Sequence, residues 1–342
     1  MTNKYSLSII IPAYNSEKII NDCLNKIIEE TKKIKSEIIV VDDKSTDKTT
    51  KIVKKIKKIK LIKLKKNRGV GNARNIGADN AKYENLCFID SDIIISKNSI
   101  YNLLKRFHKN KNTGSVSGTQ NTYNLNKDNW TSNFVCLKSC YGTESIKVEK
   151  NFSSISSEFC IISKKLFNNV GKWKSLYGAG GEEFDLGYKI RKLNKKNIKL
   201  KSAGYSGFWC DLKERSIRII SRTEKYIPIL LKKKNFDSKG TFATSGQAFS
   251  AFLTLLMLST LILNLFLKFN FVILGIFILL TIQLMLEINF LIFAYKKYKI
   301  KMLLFSLFGI QVINLSIILG GFLFLFKNTF GLFFNYPDKS KT

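Results

Sequence analysis

This sequence predicts an α/β fold on a parallel sheet, followed by helices that cross a membrane. Three observations predict it. Short apolar runs alternate with helical patterns through the first half. Carboxylates stand at the ends of those runs. Long apolar stretches appear only after about residue 247. The 342 residues allow one large or two modest domains.

The elements follow in order. Leu7-Ser8-Ile9-Ile10-Ile11 is a buried strand, and Ser16 is placed as the N-cap of a helix from about Glu17 to Thr31. Glu37-Ile38-Ile39-Val40-Val41 is a second strand, ending in Asp42-Asp43. Ile52, Val53, Ile56 and Ile59 recur at helical spacing, which predicts a Lys-rich helix over roughly Asp47 to Lys58. Leu61 to Leu64 is a third strand, Gly69 to Ala81 a helix of small residues, and Leu86 to Ile89 a fourth strand. Strand and helix alternating at this spacing imply a parallel sheet covered on both faces. Ligands of such sheets bind beyond the carboxyl ends of the strands. Pro12 to Asn15, Asp42-Asp43 and Asp90-Ser91-Asp92 all fall there. Two carboxylates one residue apart, past a strand, suit a hard divalent cation.

Residues 110–210 are less regular. Within them the acidic segment Gly181-Glu182-Glu183-Phe184-Asp185-Leu186 leads into a basic helix expected over Gly187 to Lys196. From Ser216 to Lys234, isoleucines and leucines interleave with Arg215, Arg218, Arg222 and Lys225, which suits a helix in the headgroup region, broken near Pro228.

Apolar stretches at about 248–267, 271–295 and 302–326 each supply the ~20 residues that a bilayer needs. Lys296, Lys297, Lys299 and Lys301 separate the last two stretches, and only Lys268 separates the first two. The positive-inside rule then makes this a multi-pass protein of the cell membrane with its N-terminal domain in the cytoplasm. Glu287, Asn289, Gln311 and Asn314 lie in or near the spans and are expected to pair between helices, Glu287 near the cytoplasmic boundary. The expected organisation is 1–110 and 111–212 as two halves of one domain, 213–246 as a juxtamembrane segment and 247–330 as the membrane region.

Several function classes recede. There are 57 Lys+Arg against 25 Asp+Glu, a formal charge of +32. No nucleic-acid-binding signature accompanies that charge, so nucleic acid is not an expected partner. An anionic membrane surface is the better match. The only histidine is His108 and the six cysteines show no CxxC spacing, which gives no support to zinc or to a Cys-His nucleophile. Ser6 to Ile11 is too short, and too soon followed by Pro12, to be a signal peptide.

Five segments together resemble the family 2 glycosyltransferases. They are Ser8-Ile9-Ile10-Ile11-Pro12-Ala13-Tyr14-Asn15, Val40-Val41-Asp42-Asp43-Lys44-Ser45-Thr46-Asp47, Asn67 to Gly77, Phe88-Ile89-Asp90-Ser91-Asp92, and Gly181-Glu182-Glu183-Phe184-Asp185-Leu186-Gly187-Tyr188. They stand in family order over roughly residues 6–200. The resemblance implies a GT-A fold, with a Rossmann-like nucleotide-binding half and an acceptor half. It implies that Pro12, Ala13, Tyr14, Asp42 and Asp43 hold the nucleoside, Asp43 facing the base. Arg74 lies where family members approach the nucleotide, its other role being to bridge a helix and a strand end. Asp90 would face ribose or metal, and Asp92 would coordinate Mg²⁺ or Mn²⁺.

Inverting transfer needs a carboxylate that takes the proton of the attacking hydroxyl. The family places it at the second acid of a Glu-Asp pair, which is Glu183 here, with Glu182 and Asp185 as alternatives. Glutamate at this position departs from the usual aspartate. The Gln-x-x-Arg-Trp motif of processive synthases is absent from the sequence. Trp173 and Tyr177 are either acceptor-stacking or core residues. The expected partners are a UDP- or GDP-linked sugar and a lipid-linked saccharide acceptor. The alternatives are transfer to a bare polyprenyl phosphate and an inactive membrane scaffold or nucleotide-sugar-binding protein.

Overall fold

The computed structural model describes residues 5–126, 128–144, 151–174, 178–233, 245–267 and 271–329. The chain divides into two compact units, Met1–Leu125 with Ile146–Phe208, and Asn126–Ser145 with Trp209–Thr342.

The first unit is built on eight strands: β1 (Ser6–Ala13), β2 (Lys35–Asp42), β3 (Ile59–Lys63), β4 (Asn85–Ile89), β5 (Ile93–Ile95), β6 (Thr113–Gln120), β7 (Phe159–Ser163) and β8 (Lys196–Gly207). Their order in the sheet is β3-β2-β1-β4-β7-β6-β8-β5. The first four of that order run parallel. β7 runs antiparallel to both β4 and β6, while β8 runs parallel to β6. The carboxyl ends of β1, β2, β4, β6 and β8 and the start of β7 therefore share one edge.

Alternation along the strands sets the two cores. Ile9, Ile11, Val40, Cys87 and Ile89 face α1 (Ile20–Thr31) and, with it, Leu24 and Ile27. Ile10, Ile39, Val41 and Phe88 face the other way, toward Ala73, Phe167, Trp173 and Leu186. Further helices of this unit are α2 (Thr49–Lys54), α3 (Val70–Asp79) and α4 (Ser99–Phe107). Its last two, after α5 (Trp130–Glu144) of the second unit, are α6 (Lys164–Asn169) and α7 (Gly178–Lys192). α3 lies close on the sheet because Gly77 has no side chain: a Cβ there would overlap Ile10 Cγ2 and stand 3.3 Å from Val41 Cγ2.

Three local expectations change. Ser16 does not cap α1. The helix starts at Ile20, while Ser16 O accepts from Ile19 N and Ile20 N in a preceding turn. Its Oγ instead lies 2.8 Å from Ser91 Oγ. The acidic segment does not precede a helix over Gly187–Lys196. It forms the second turn of α7, which ends at Lys192 because Lys196 already begins β8. α2 is shorter than the isoleucine spacing predicts, since Ile59 is taken by β3.

The second unit contains α5 (Trp130–Glu144), α8 (Leu212–Lys233), α9 (Ser245–Leu267) and α10 (Val272–Thr329). α5 packs among the apolar helices of this unit. Its Phe134 is fully buried among Phe290, Phe305 and Gly309, where a Cβ on Gly309 would stand 2.5 Å from the Phe134 ring. α8 runs through Pro228 without the expected break. α8 and α10 cross closely at Gly320, where a Cβ would lie 2.7 Å from Ile220 O.

α9 and α10 are long and apolar enough to cross a membrane, by length and composition. The basic segment expected as a loop is helical on both sides of Lys299, whose φ of 61° breaks α10 into two apolar lengths. Gln311 and Asn314 pair between helices, as expected, with Gln283 as a further partner. Gln283 Nε2 donates to Thr254 Oγ1 at 2.9 Å, Gln311 Nε2 to Gln283 Oε1 at 2.6 Å, and Asn314 Nδ2 to Ser250 Oγ at 3.0 Å. Glu287 pairs with Lys138 of α5 at 2.5 Å.

Candidate active site

The loops after β1 and β2 are zipped together by hydrogen bonds. Asn15 N donates to Ser45 Oγ at 3.0 Å, and Thr46 N to Asn15 Oδ1 at 2.8 Å. Lys48 N donates to Glu17 Oε2, and Glu17 N to Asp47 Oδ2. Pro12 and Ala13 end β1 and are buried against Val41 and Asp42, while Tyr14 stands 49% exposed at the rim.

Asp42 and Asp43 are buried and shape these loops. Asp42 accepts from Ser45 N at 3.1 Å and from Thr50 Oγ1 at 2.7 Å. Asp43 accepts from Arg68 N at 2.7 Å and from Gly69 N at 2.8 Å, next to the start of α3. A carboxylate oxygen has more than one acceptor site, so each aspartate keeps capacity for a ligand.

Arg74 is the hinge of the constellation. It projects from α3 into the interior and is 2% exposed. Nη2 meets Asp90 Oδ1 at 2.6 Å, and Nη1 meets Glu182 Oε1 at 3.0 Å. The guanidinium also lies 5.3 Å from the centre of the Trp173 ring. Of the two roles open to Arg74, the structure shows the bridge: the side chain is enclosed, and its two terminal nitrogens are committed to carboxylates. It ties the end of β4 to α7. Gly71 makes room for this pair: a Cβ there would overlap Glu182 Oε2. Trp173 is core, edge-on to Phe88. Tyr177 lies outside the described residues.

The three candidate bases differ in setting. Glu182 is buried, and its carboxyl is pushed up to about 7 by that burial, against the opposing pull of Arg74 and with Glu183 and Asp90 adding to the rise. Glu183 is half-buried, and its Oε1 accepts from Ser157 N at 2.9 Å and Ser157 Oγ at 2.6 Å. Asp185 is buried one turn on and meets Lys189 Nζ at 2.7 Å. The structure thus brings Asp90, Glu182 and Glu183 together.

Sequence reasoning missed Glu158. This residue immediately precedes β7, whose Phe159 pairs with Ile89, and Glu158 O accepts from Asp90 N at 2.9 Å. Glu158 Oε2 accepts from Gln120 Nε2 at 2.8 Å and from Tyr205 Oη at 2.5 Å. Burial pushes this carboxyl up to about 7, offset by the Tyr205 bond and reinforced by Asp90, Glu183 and Asp92. No local motif marks it. Only the antiparallel pairing of β4 with β7 delivers it to the rim.

Asp90 is partly buried, and Asp92 is exposed at the turn into β5. Among the described residues no three His, Cys, Asp or Glu cluster as a self-sufficient metal cage. Two hard carboxylates fit a Mg²⁺- or Mn²⁺-type ion that keeps water and phosphate oxygens as its other ligands.

Comparison with known proteins agrees with this geometry. Residues 8–171 match the sequence model of Glycosyl transferase family 2. Over that span the chain matches a family 2 glycosyltransferase domain. Glycosyltransferase GlyA of Streptococcus pneumoniae is 29% identical over 215 residues, 58% of this chain and 30% of GlyA. The poly-beta-1,6-N-acetyl-D-glucosamine synthase of Staphylococcus epidermidis is 24% identical over 177 residues, 49% of this chain and 42% of the synthase. The chain thus spans under half the length of either relative. Among solved structures, the mannosyltransferase PcManGT from Pyrobaculum calidifontis, in complex with GDP-Man and Mn²⁺, is similar with a TM-score of 0.57 at 15% identity. The match covers 96% of this chain and 90% of that one and shows the GT-A fold.

Proposed function

We propose that this chain is a membrane-anchored inverting glycosyltransferase. It moves a sugar from a UDP- or GDP-linked donor to a lipid-linked saccharide acceptor, in glycan or surface polysaccharide synthesis. The observation that carries this reading is the Arg74 bridge, which holds Asp90 of the acidic loop and Glu182 of α7 on one rim of the sheet.

The roles divide along that rim. Tyr14, Asp42 and Asp43 border the nucleoside side, with Pro12 and Ala13 in the strand beneath. Asp92, with Asp90, would hold the divalent cation, which offsets charge on the leaving diphosphate. Glu183 is the base: Ser157 fixes one of its oxygens. Glu182 is less suited, because Arg74 occupies it in a buried pair, and Asp185 is taken by Lys189. Arg74 is a positioning residue that spaces the acidic loop from the base.

The apolar lengths of α9 and α10 serve as three spans, with the basic break at Lys299 and the first unit on the cytoplasmic side. The basic face of α8 lies on the anionic leaflet. The synthase relative's name supports a polysaccharide pathway. The test is to incubate membranes carrying the full chain with labelled UDP- and GDP-sugars and each acceptor class. Transfer to polyprenyl-diphosphate-linked saccharide, with the anomeric configuration inverted, is the expected result. Product on bare polyprenyl phosphate alone would reassign the acceptor. No product with any pair, but retained nucleotide-sugar binding, would make the chain a binding protein.

A further inference from the structure

We propose that Glu158 is a sugar-binding residue, whose Oε1 accepts a hydrogen bond from a hydroxyl of the hexosyl group being transferred. This rests on the glycosyltransferase reading and deepens it, because it places the residue that selects the sugar.

The argument is one of sheet order. Strands β2, β1, β4, β7 and β6 are successive neighbours, and the rim positions of each lie on the same edge. Neighbouring strands are about 4.8 Å apart. The nucleoside-side loops leave β2 and β1, and the acidic loop leaves β4. A nucleotide sugar is itself a linear string of nucleoside, diphosphate and sugar. Laid along the rim with its diphosphate at Asp90 and Asp92, it brings the sugar to the next strand, β7. Glu158 stands there, opposite Asp90.

The side chain is built for such a contact. Gln120 and Tyr205 both donate to Oε2 and so fix the carboxyl plane. Gln120 ends β6 and Tyr205 lies on β8, so the support comes from two regular strands. Among the described residues no donor reaches Oε1. The residue is only partly buried, so this oxygen is the one left for a ligand. A carboxyl oxygen held in place by its neighbours, with lone pairs open, is an acceptor for a sugar hydroxyl.

The test compares two ligand classes on the full chain in detergent, with Mn²⁺ present. Calorimetry measures UDP, GDP and a panel of UDP- and GDP-hexoses against the unaltered protein and against Glu158→Gln. The expected result is a loss of about tenfold or more for the nucleotide sugar that binds, with the free nucleoside diphosphate changed less than about twofold. The same donor lacking the contacted hydroxyl should bind the unaltered protein as weakly as the complete donor binds the variant. Tyr205→Phe keeps Oε1 and removes one support, so it should show a smaller loss in the same direction. It carries the test if thermal melting shows that Glu158→Gln does not fold.

Equal weakening of nucleotide and nucleotide sugar would overturn the proposal and make Glu158 a strut of the acidic loop. Unchanged affinity for both would also overturn it. If the unaltered protein bound no nucleotide sugar, the glycosyltransferase reading would fall and this proposal with it.

Discussion

Two buried polar clusters, one in each unit, spend their hydrogen bonds differently. Among the apolar helices, Gln283 and Gln311 each use both ends of the amide, on Ser250, Thr254 and one another. At the sheet rim, Arg74 holds Asp90 and Glu182, Ser157 holds Glu183, and Gln120 and Tyr205 hold Glu158, but capacity is left open. Glu158 and Glu183 each have one carboxylate oxygen fixed, and Arg74 Nε is buried with no hydrogen-bond partner among the described residues. The first arrangement specifies helix pairing. The second suits a ligand. Closed polar networks fix structure, and half-closed ones cost stability and persist where function needs them.

That contrast can be broken most forcefully at Arg74. Arg74→Met leaves Asp90 and Glu182 without their cation, and losing one partner of a buried pair costs about 3–5 kcal/mol. The expected outcome is a large fall in melting temperature or failure to fold. A variant that melts like the original would show that the bridge is not structural.

Next in size is a pH effect at Glu182. Its folded carboxyl titrates near 7 against 4.5 as its ordinary value. The folded state therefore holds its proton more tightly. The stabilising contribution is complete below about 4.5 and is lost as pH rises through about 7, amounting to about 3 kcal/mol at most. Thermal melts should show Glu182→Gln losing less stability than the original between pH 4.5 and 7.5. Parallel curves would contradict this.

The helix network should respond less. Gln283→Leu removes bonds to Ser250 and Thr254 in an apolar setting, with an expected cost of about 1 kcal/mol and unchanged nucleotide-sugar binding. A loss of binding without a change in melting would blur the distinction between the clusters. The smallest effect is a gain. Lys44 has φ of 65° in the loop after β2, a left-handed conformation that costs an L-residue about 1 kcal/mol. Lys44→Gly should raise the melting temperature slightly.

Legibility in the sequence follows the range of the forces involved. β1, β2 and β4 were readable because each carries a run of buried apolar residues, and Asp42, Asp43, Asp90 and Asp92 stand where those runs stop. The acidic pair was visible by its composition. The role of Arg74 was only half visible, because its partners are 16 and 108 residues away. Glu158 was invisible for the same reason: its place depends on β4 pairing with β7. The place of α5 is set by partners far along the chain, Phe290 and Phe305, which no local pattern marks. Ser16 had the chemistry of a cap, yet tertiary contact with Ser91 claimed its hydroxyl.

The central claim is that a carboxylate of this rim acts as base in sugar transfer. Glu183→Gln tests it most directly, in membranes given a labelled nucleotide sugar and a lipid-linked saccharide. The account predicts a fall of about 10²- to 10⁴-fold in transfer rate, with nucleotide-sugar affinity nearly unchanged. Full transfer by that variant would contradict it.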